Sequence, residues 1–229
     1  KISASEETGG PFTFIHIGKY EERKGTIQLL KCFSQTFRKE RVRLFMSVAN
    51  PFVNDYSEVM NVLTSEGFIT TNENETFRRL GVSVHFLPSV KTQAELRDLM
   101  RSADCAVFLS RAEGWGLPIL ECMASGIPAI VGAWTGQSEY LDEIKNPYEI
   151  KNSYFVEAKD PVFFKDGGRG GWQVPNDQHV QKLMMDAFTT ARAFRRSDDH
   201  LMNVVELREF TWATAGKMLN DAINDVCGI

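Results

Sequence analysis

Residues 110 to 128 read Ser110-Arg-Ala-Glu-Gly-Trp-Gly-Leu-Pro-Ile-Leu-Glu-Cys-Met-Ala-Ser-Gly-Ile-Pro128, and the fold is read from this stretch. Two carboxylates, Glu113 and Glu121, stand eight residues apart, with a glycine-punctuated turn and Pro118 between them. The apolar run Cys105–Ser110 comes before, and a second run, Pro128–Gly132, comes after. The order is strand, loop, helix, strand. Pro118 suits the first helical position, where its missing N–H is not needed. Such a loop lies at the carboxyl end of a parallel sheet, the edge at which α/β folds bind ligands.

The same alternation extends along the chain. Phe12–Ile17 is a near-continuous apolar run ending at Gly18, as expected of a buried parallel strand. Ile27, Leu30, Phe33 and Phe37 share one face of a helix over residues 24–38. Strands follow at 43–49 and 82–87, with a helix at 54–67 stopped by Gly67 and a polar loop at 70–76. Thr92 and Glu95 have capping-box spacing at the start of a helix over 92–102. Ser153–Glu157 reads as a sixth strand, and residues 177–194 and 212–226 as helices. The expected fold is α/β, a Rossmann-like doubly wound parallel sheet.

Bulk properties exclude several classes. The 229 residues are 43% hydrophobic and 24% charged, with a net charge of −4, so nothing argues for a nucleic-acid binder. No apolar run approaches the ~20 residues of a membrane span. No signal peptide is read at the start. The four cysteines are scattered, without zinc or disulfide spacing, and a reducing cytoplasmic compartment is expected. Residues 1–10 read as a polar linker or disordered end, and the initial Lys1 as the start of a piece cut from a longer or processed protein. The glycines of Lys165–Gly171 follow no strand, which argues against a phosphate loop. Asn74-Glu-Thr76 fits a glycosylation pattern that is common by chance. His16 and His85 read as satisfied core residues, His179 and His200 as surface positions. Asp198 and Asp199 read as surface charge on a helix, and no metal site is expected.

The loop's chemistry follows from its residue types. A helix N-terminus presents free N–H groups and a partial positive charge, a natural phosphate seat. Gly114 and Gly116 let the backbone approach a ligand. A carboxylate would repel that phosphate, so Glu113 and Glu121 make sense as acceptors of hydroxyl hydrogen bonds; a sugar nucleotide offers both groups. The bland alternative is two solvated charges. A second motif, Gly18-Lys-Tyr-Glu-Glu-Arg-Lys-Gly25, sits at a strand-to-helix junction on the same sheet edge. Its cations Lys19, Arg23 and Lys24 can hold a diphosphate and stabilise the charge that grows on it as it leaves. It is neither a Walker loop nor a dinucleotide turn.

Together the two motifs resemble the nucleotide-sugar-binding, C-terminal lobe of retaining GT-B glycosyltransferases of the family-4, group 1 type. Ala103–Ser110, Gly136–Leu141, Trp172–Asp177 and Phe210-Thr-Trp212 are similar to further family elements, and the resemblance spans about residues 12–223. It implies that residues 11–229 form the donor-binding domain and that the N-terminal acceptor lobe lies outside this chain. It implies that Glu121 binds ribose hydroxyls and Glu113 hexose hydroxyls. Gly116 and Leu117 would offer N–H groups, Lys24 would bind the diphosphate, and the base would lie near Leu87–Val90. Lys19 stands where the family usually has arginine, and its interval to Lys24 is one residue short of a common form. Lysine is a point charge rather than a fork. The implied reaction is retaining, metal-independent transfer of a hexose from a UDP- or GDP-type sugar, with no cofactor. The acceptor would be a glycan, lipid or protein met through the other lobe, as would any membrane surface. The final helix would pack on that lobe, leaving Trp212 and Met218 uncovered here. A non-catalytic binding lobe of the same ancestry and a sugar-nucleotide epimerase are the alternatives.

Overall fold

The structure, a computed structural model, describes residues 9–52, 55–71, 75–159 and 170–227. Most of the first ten residues, Asn74 and most of the Lys165–Gly171 run lie outside these described residues.

The central sheet is built on β1 (Phe12–Ile17), flanked by β2 (Val42–Ser47) and β6 (Cys105–Val107). Two further strands, β5 (Val82–Phe86) and β7 (Ala129–Ile130), extend it on either side, and all five run parallel. An edge hairpin of β3 (Ile69–Thr70) and β4 (Thr76–Arg79) pairs antiparallel beyond β5. The order is β3-β4-β5-β2-β1-β6-β7.

Helices cover both faces, so β1 is apolar on both. Phe14 belongs to one core with Leu44, Val84, Leu30 and Val180. Its neighbour Ile15 belongs to the other, with Ala106, Leu120 and Leu207. The first core lies under α1 (Thr26–Thr36), α2 (Ser57–Ser65) and α6 (Asp177–Phe194). The second lies under α3 (Gln93–Arg101), α4 (Leu117–Ala124), α5 (Ser138–Leu141) and α7 (Asp198–Leu207). The Thr92–Glu95 capping box starts α3, and Gly67 turns the chain after α2 with φ +80°.

The structure departs from the sequence expectations at definite places. Ser153–Glu157 is a strand, β8, but it pairs antiparallel with β9 (Gly171–Pro175) in a separate two-stranded sheet. Tyr154 and Phe155 of β8 stay exposed, because the place beyond β7 is taken by a parallel bridge between Val131 and Glu149. The loop expected at 70–76 is partly the β3–β4 hairpin. Pro118 is the second residue of α4, not the first. His200 is buried against Phe194, with its ring 3.2 Å from the Gly126 carbonyl, not on the surface. His179 is half-buried, its Nε2 accepting from the Lys151 N–H at 3.2 Å.

The final helix, α8 (Trp212–Cys227), buries none of its residues. Trp212 is 87% and Met218 68% exposed. Cys32, Cys105 and Cys122 are buried free thiols, and burial raises the pKa of each. Among the described residues no helix is long and apolar enough to cross a membrane.

Candidate functional site

The two motifs meet at the carboxyl edge of the sheet because β1 and β6 are neighbours. After β1 the chain runs through a short 3-10 turn, Glu22–Lys24, to Gly25. Gly25 has φ +68°, and a Cβ there would lie 2.6 Å from the Leu109 carbonyl oxygen. Only glycine lets this turn lie directly on the end of β6. The Arg111 N–H then donates to the Arg23 carbonyl at 2.7 Å, lacing the two loops together.

Glu113 is the centre of the junction. Lys24 Nζ lies 2.5 Å from Glu113 Oε1, and Arg23 Nη1 lies 3.2 Å from Oε2. Arg23 also donates to the Ala112 carbonyl at 2.5 Å and to Glu21 at 3.1 Å. The Glu113 side chain is only 8% exposed. Burial by itself pushes its pKa up, but the Lys24 hydrogen bond and the charges of Lys24 and Arg23 outweigh it and hold the carboxyl below the usual range. The Glu113 N–H donates to Thr135 Oγ1 at 2.9 Å, and the Gly136 N–H to the Glu113 carbonyl at 3.1 Å. A Cβ on Gly136 would fall 1.9 Å from the exposed Gly114's carbonyl oxygen, so the loop after β7 also packs on this one.

Gly116 caps α4 with φ +77°, and a Cβ on it would meet Ile119 at 2.9 Å and the Tyr140 hydroxyl at 3.0 Å. The Tyr140 hydroxyl donates to the Gly116 carbonyl at 3.2 Å. The N–H of Leu117, 48% exposed at the first helical position, has no partner within the helix. Glu121 lies in the second turn, half-buried. Burial raises its pKa, and among the described residues no hydrogen-bond donor or cation reaches its carboxylate. Glu113 is thus engaged by cations and Glu121 is unengaged.

Two expected residues are not drawn into this cluster. Lys19 is exposed, with Nζ 5.8 Å above the ring of Phe52. Val90 lies beyond β5 on the same edge, half-buried, away from Glu113.

Other groups at the site were not read from the sequence. The aromatic rings of Trp115, Tyr140 and Phe210 cluster with centroids 5.7–6.0 Å apart, tying the α4 loop to the residues before α8. Arg111 bonds Glu22 at 2.6 Å and lies 5.4 Å from the Trp172 ring, joining β9 to the site. His16, read as a satisfied core residue, is only half satisfied. Its Nδ1 lies 2.8 Å from the Val107 carbonyl, while its buried Nε2 has no partner among the described residues and would lie 3.7 Å from a Cβ on Gly18. Burial pushes this ring down to about 4, so it is neutral, with Nδ1–H donating and Nε2 an open acceptor. The only sequence signal for this was a polar residue one position before the end of an apolar strand. No cluster of three or more metal-ligating side chains is present among the described residues.

The family profile described as "Glycosyl transferases group 1" matches residues 1–162. Among solved structures the chain is similar to α,α-trehalose 6-phosphate synthase from Burkholderia multivorans, at TM-score 0.67 and 14% identity; 96% of this chain and 44% of that one are covered. The C-terminal domain of the group 1 protein LpcC from Francisella tularensis matches at TM-score 0.60 and 19% identity, covering 88% of each chain. The Anabaena protein HepE, in complex with UDP and glucose, matches at TM-score 0.64 and 17% identity, covering 94% of this chain and 49% of that one. The chain therefore spans about half the length of HepE and the synthase. No curated protein sequence matches it. The mostly parallel seven-stranded sheet with helices on both faces is the fold of a GT-B lobe.

Proposed function

The chain belongs to the glycosyl transferases group 1 family, and from this premise we propose that its loop edge is the donor site of a retaining hexosyltransferase. The observation that carries the reading is Glu121: a half-buried carboxylate with no partner among the described residues, within two turns of a helix start that offers free N–H groups. Such a group is suited to accept hydrogen bonds from the paired hydroxyls of a ribose. The Leu117 and Gly116 N–H groups and the positive end of α4 are suited to a phosphate or sugar oxygen.

In this reading the donor takes over interactions that now run within the protein. Its diphosphate recruits Lys24 and Arg23, and its hexose hydroxyls take up the Glu113 oxygens those cations release. Lys24 then stabilises the charge that develops on the departing diphosphate. As the bond from the anomeric carbon to the diphosphate oxygen breaks, the acceptor oxygen bonds to that carbon on the same face and gives its proton to the departing phosphate oxygen, which retains configuration. The carboxylates bind and orient, and no step needs a metal. Val90 and its neighbours flank the base, and the second lobe supplies the acceptor.

Calorimetry with a panel of UDP-, GDP- and ADP-sugars tests the proposal. UDP-sugars come first, because HepE holds UDP and glucose on this fold. Saturable binding to one of them, abolished in Glu121→Ala, is the expected result; unchanged affinity in that variant sinks the site. One observation favours a binding lobe without catalysis: Lys19 points over Phe52 rather than into the Glu113 cluster, which leaves the diphosphate one cation fewer. Slow hydrolysis of the sugar nucleotide by the full-length protein separates the enzyme from that reading.

A further inference from the structure

A second polar concavity lies at the opposite edge of the sheet. It has a volume of about 310 Å3 and is lined by Arg41, Arg43, Arg78, Gly81, Ser83 and His85, among others. These residues stand at the start of β2 and β5 and the end of β4. The six residues of β1 separate this edge from Gly18, a span of roughly 20 Å. The register explains the opening. On β2, Val42, Leu44 and Met46 are buried, while Arg43, Phe45 and Ser47 on the other face are only partly covered. Arg43 lies opposite Ser83, and Ser83 opposite Arg78, so two guanidinium groups flank one serine across three strands.

The groove is built as well as charged. Arg43 donates from Nε to Thr13 Oγ1 at 2.7 Å, and its guanidinium lies 4.6 Å from the Phe45 ring centroid. This fixes the plane of the guanidinium, and among the described residues no hydrogen bond engages its two Nη groups. Ser83 Oγ lies 2.9 Å from His85 Nε2, which orients the hydroxyl.

Two carboxylates lie near the groove, and neither forms an ion pair with its arginines among the described residues. Asp104 bonds Arg192 at 2.9 and 3.0 Å and the Thr13 N–H at 2.8 Å. Glu40 accepts from the backbone N–H groups of Arg38 and Lys39. Among the described residues Arg41, Arg43 and Arg78 form no ion pair, in a chain whose net charge is −4. Of the three guanidinium groups lining this concavity only Arg43 feels a carboxylate among the described residues, Asp104, which is itself held by Arg192; such a set suits a planar multi-oxygen anion, which arginine binds through paired parallel hydrogen bonds.

We propose that this groove binds a phosphoryl group, carried by a small phosphorylated molecule, separately from the donor at the other edge. The chemistry is equally that of a lipid headgroup phosphate, and the experiment distinguishes the two sources. The isotope-labelled chain is titrated with inorganic phosphate and with pyrophosphate at constant ionic strength, chloride being the balancing anion, and amide shifts are followed by NMR. Saturable shifts are expected at Gly81, Val82 and Ser83. They are expected to weaken about tenfold or more in Arg43→Gln and in Arg78→Gln and to persist in Glu121→Ala.

Arg78 is exposed, so Arg78→Gln remains informative if the half-buried Arg43 variant folds poorly. Shifts confined to Gly18–Gly25 and Leu117 overturn the proposal, as do groove shifts that chloride alone reproduces. Sedimentation with vesicles of anionic phospholipid forms the second arm. Phosphate-saturable shifts without vesicle binding assign a soluble ligand. Vesicle binding that is lost in the same two variants and competed by phosphate assigns a headgroup. Absence of both overturns the proposal.

Discussion

Glu113 and Glu121 belong to one motif, yet the two ends of that motif are opposite electrostatic environments. Glu113 is nearly inaccessible and held by Lys24 at 2.5 Å and Arg23 at 3.2 Å, which come from the far side of the β1–β6 junction. Glu121, in the second turn of α4, is half-buried and has no partner among the described residues. The same side chain therefore meets two environments. At Glu113 it ties two loops together through ion pairs. At Glu121 it is half-buried and, in the proposed reading, open to a donor's hydroxyls. Spacing within a motif places groups on one edge; it does not give them one role.

The largest effect expected from breaking this contrast is on stability at Glu113. Glu113→Gln leaves two cations facing a neutral amide and should cost about 2 kcal/mol, below the full cost for a buried pair because Arg23 is 30% exposed and screened. Urea denaturation measures it. The folded-state pKa of Glu113 is depressed, so its contribution is present above the ordinary carboxylate range of about 4–5 and is lost as pH falls through the depressed value. The stabilities of the two proteins should converge in acid; a gap that is constant with pH would show that the ion pairs are not its source.

Glu121→Gln sharpens the contrast from the other side. Its pKa is raised in the fold, so ionisation costs stability as pH rises through the raised value. The amide should gain on the order of 0.5 kcal/mol at neutral pH and nothing in acid, while sugar-nucleotide affinity falls about tenfold or more. A variant that is both less stable and equally able to bind would place the carboxylate in the scaffold instead. The smallest effect belongs to Lys19→Ala. Standing outside the cluster, it should change stability by less than about 0.5 kcal/mol and donor affinity by less than about threefold. A tenfold loss by calorimetry would mean that Lys19 swings inward when the donor binds.

Much of the frame was legible because it is written in local period. The buried strand at Phe12–Ile17, the α6 helix over Asp177–Phe194 and the Thr92–Glu95 capping box each depend on neighbours within a few residues. The placing of Glu113, Gly116 and Lys24 on one sheet edge followed from strand-loop-helix order. The β3–β4 hairpin was missed because β3, Ile69–Thr70, is only two residues long and exposed, so no apolar run marks it; the following turn, between β4 and β5, holds Leu80 at φ +52°, a conformation no sequence rule assigns to leucine. Ser153–Glu157 was correctly a strand and wrongly a member of the main sheet. Its pattern states that it is extended, while its partner, β9, begins at Gly171, beyond an intervening segment. His16 was rightly placed in the core, with only one of its two ring nitrogens satisfied among the described residues, while His200 was misread as a surface position because burial belongs to the surroundings rather than to the residue.

Within its 229 residues, then, the chain carries its own list of strands and helices, their alternation and the two motifs of its loop edge. These follow from side-chain period, glycine freedom and helix caps, which act over one or two turns. Tertiary structure alone decided that Lys24 would neutralise a carboxylate 89 residues away while Glu121 stayed without a partner among the described residues, and that three arginines would line one groove at the other edge. Those outcomes depend on which strands become neighbours and how deeply each charge is withdrawn from water, and Coulomb energy and desolvation are functions of distance in space, not of position along the chain.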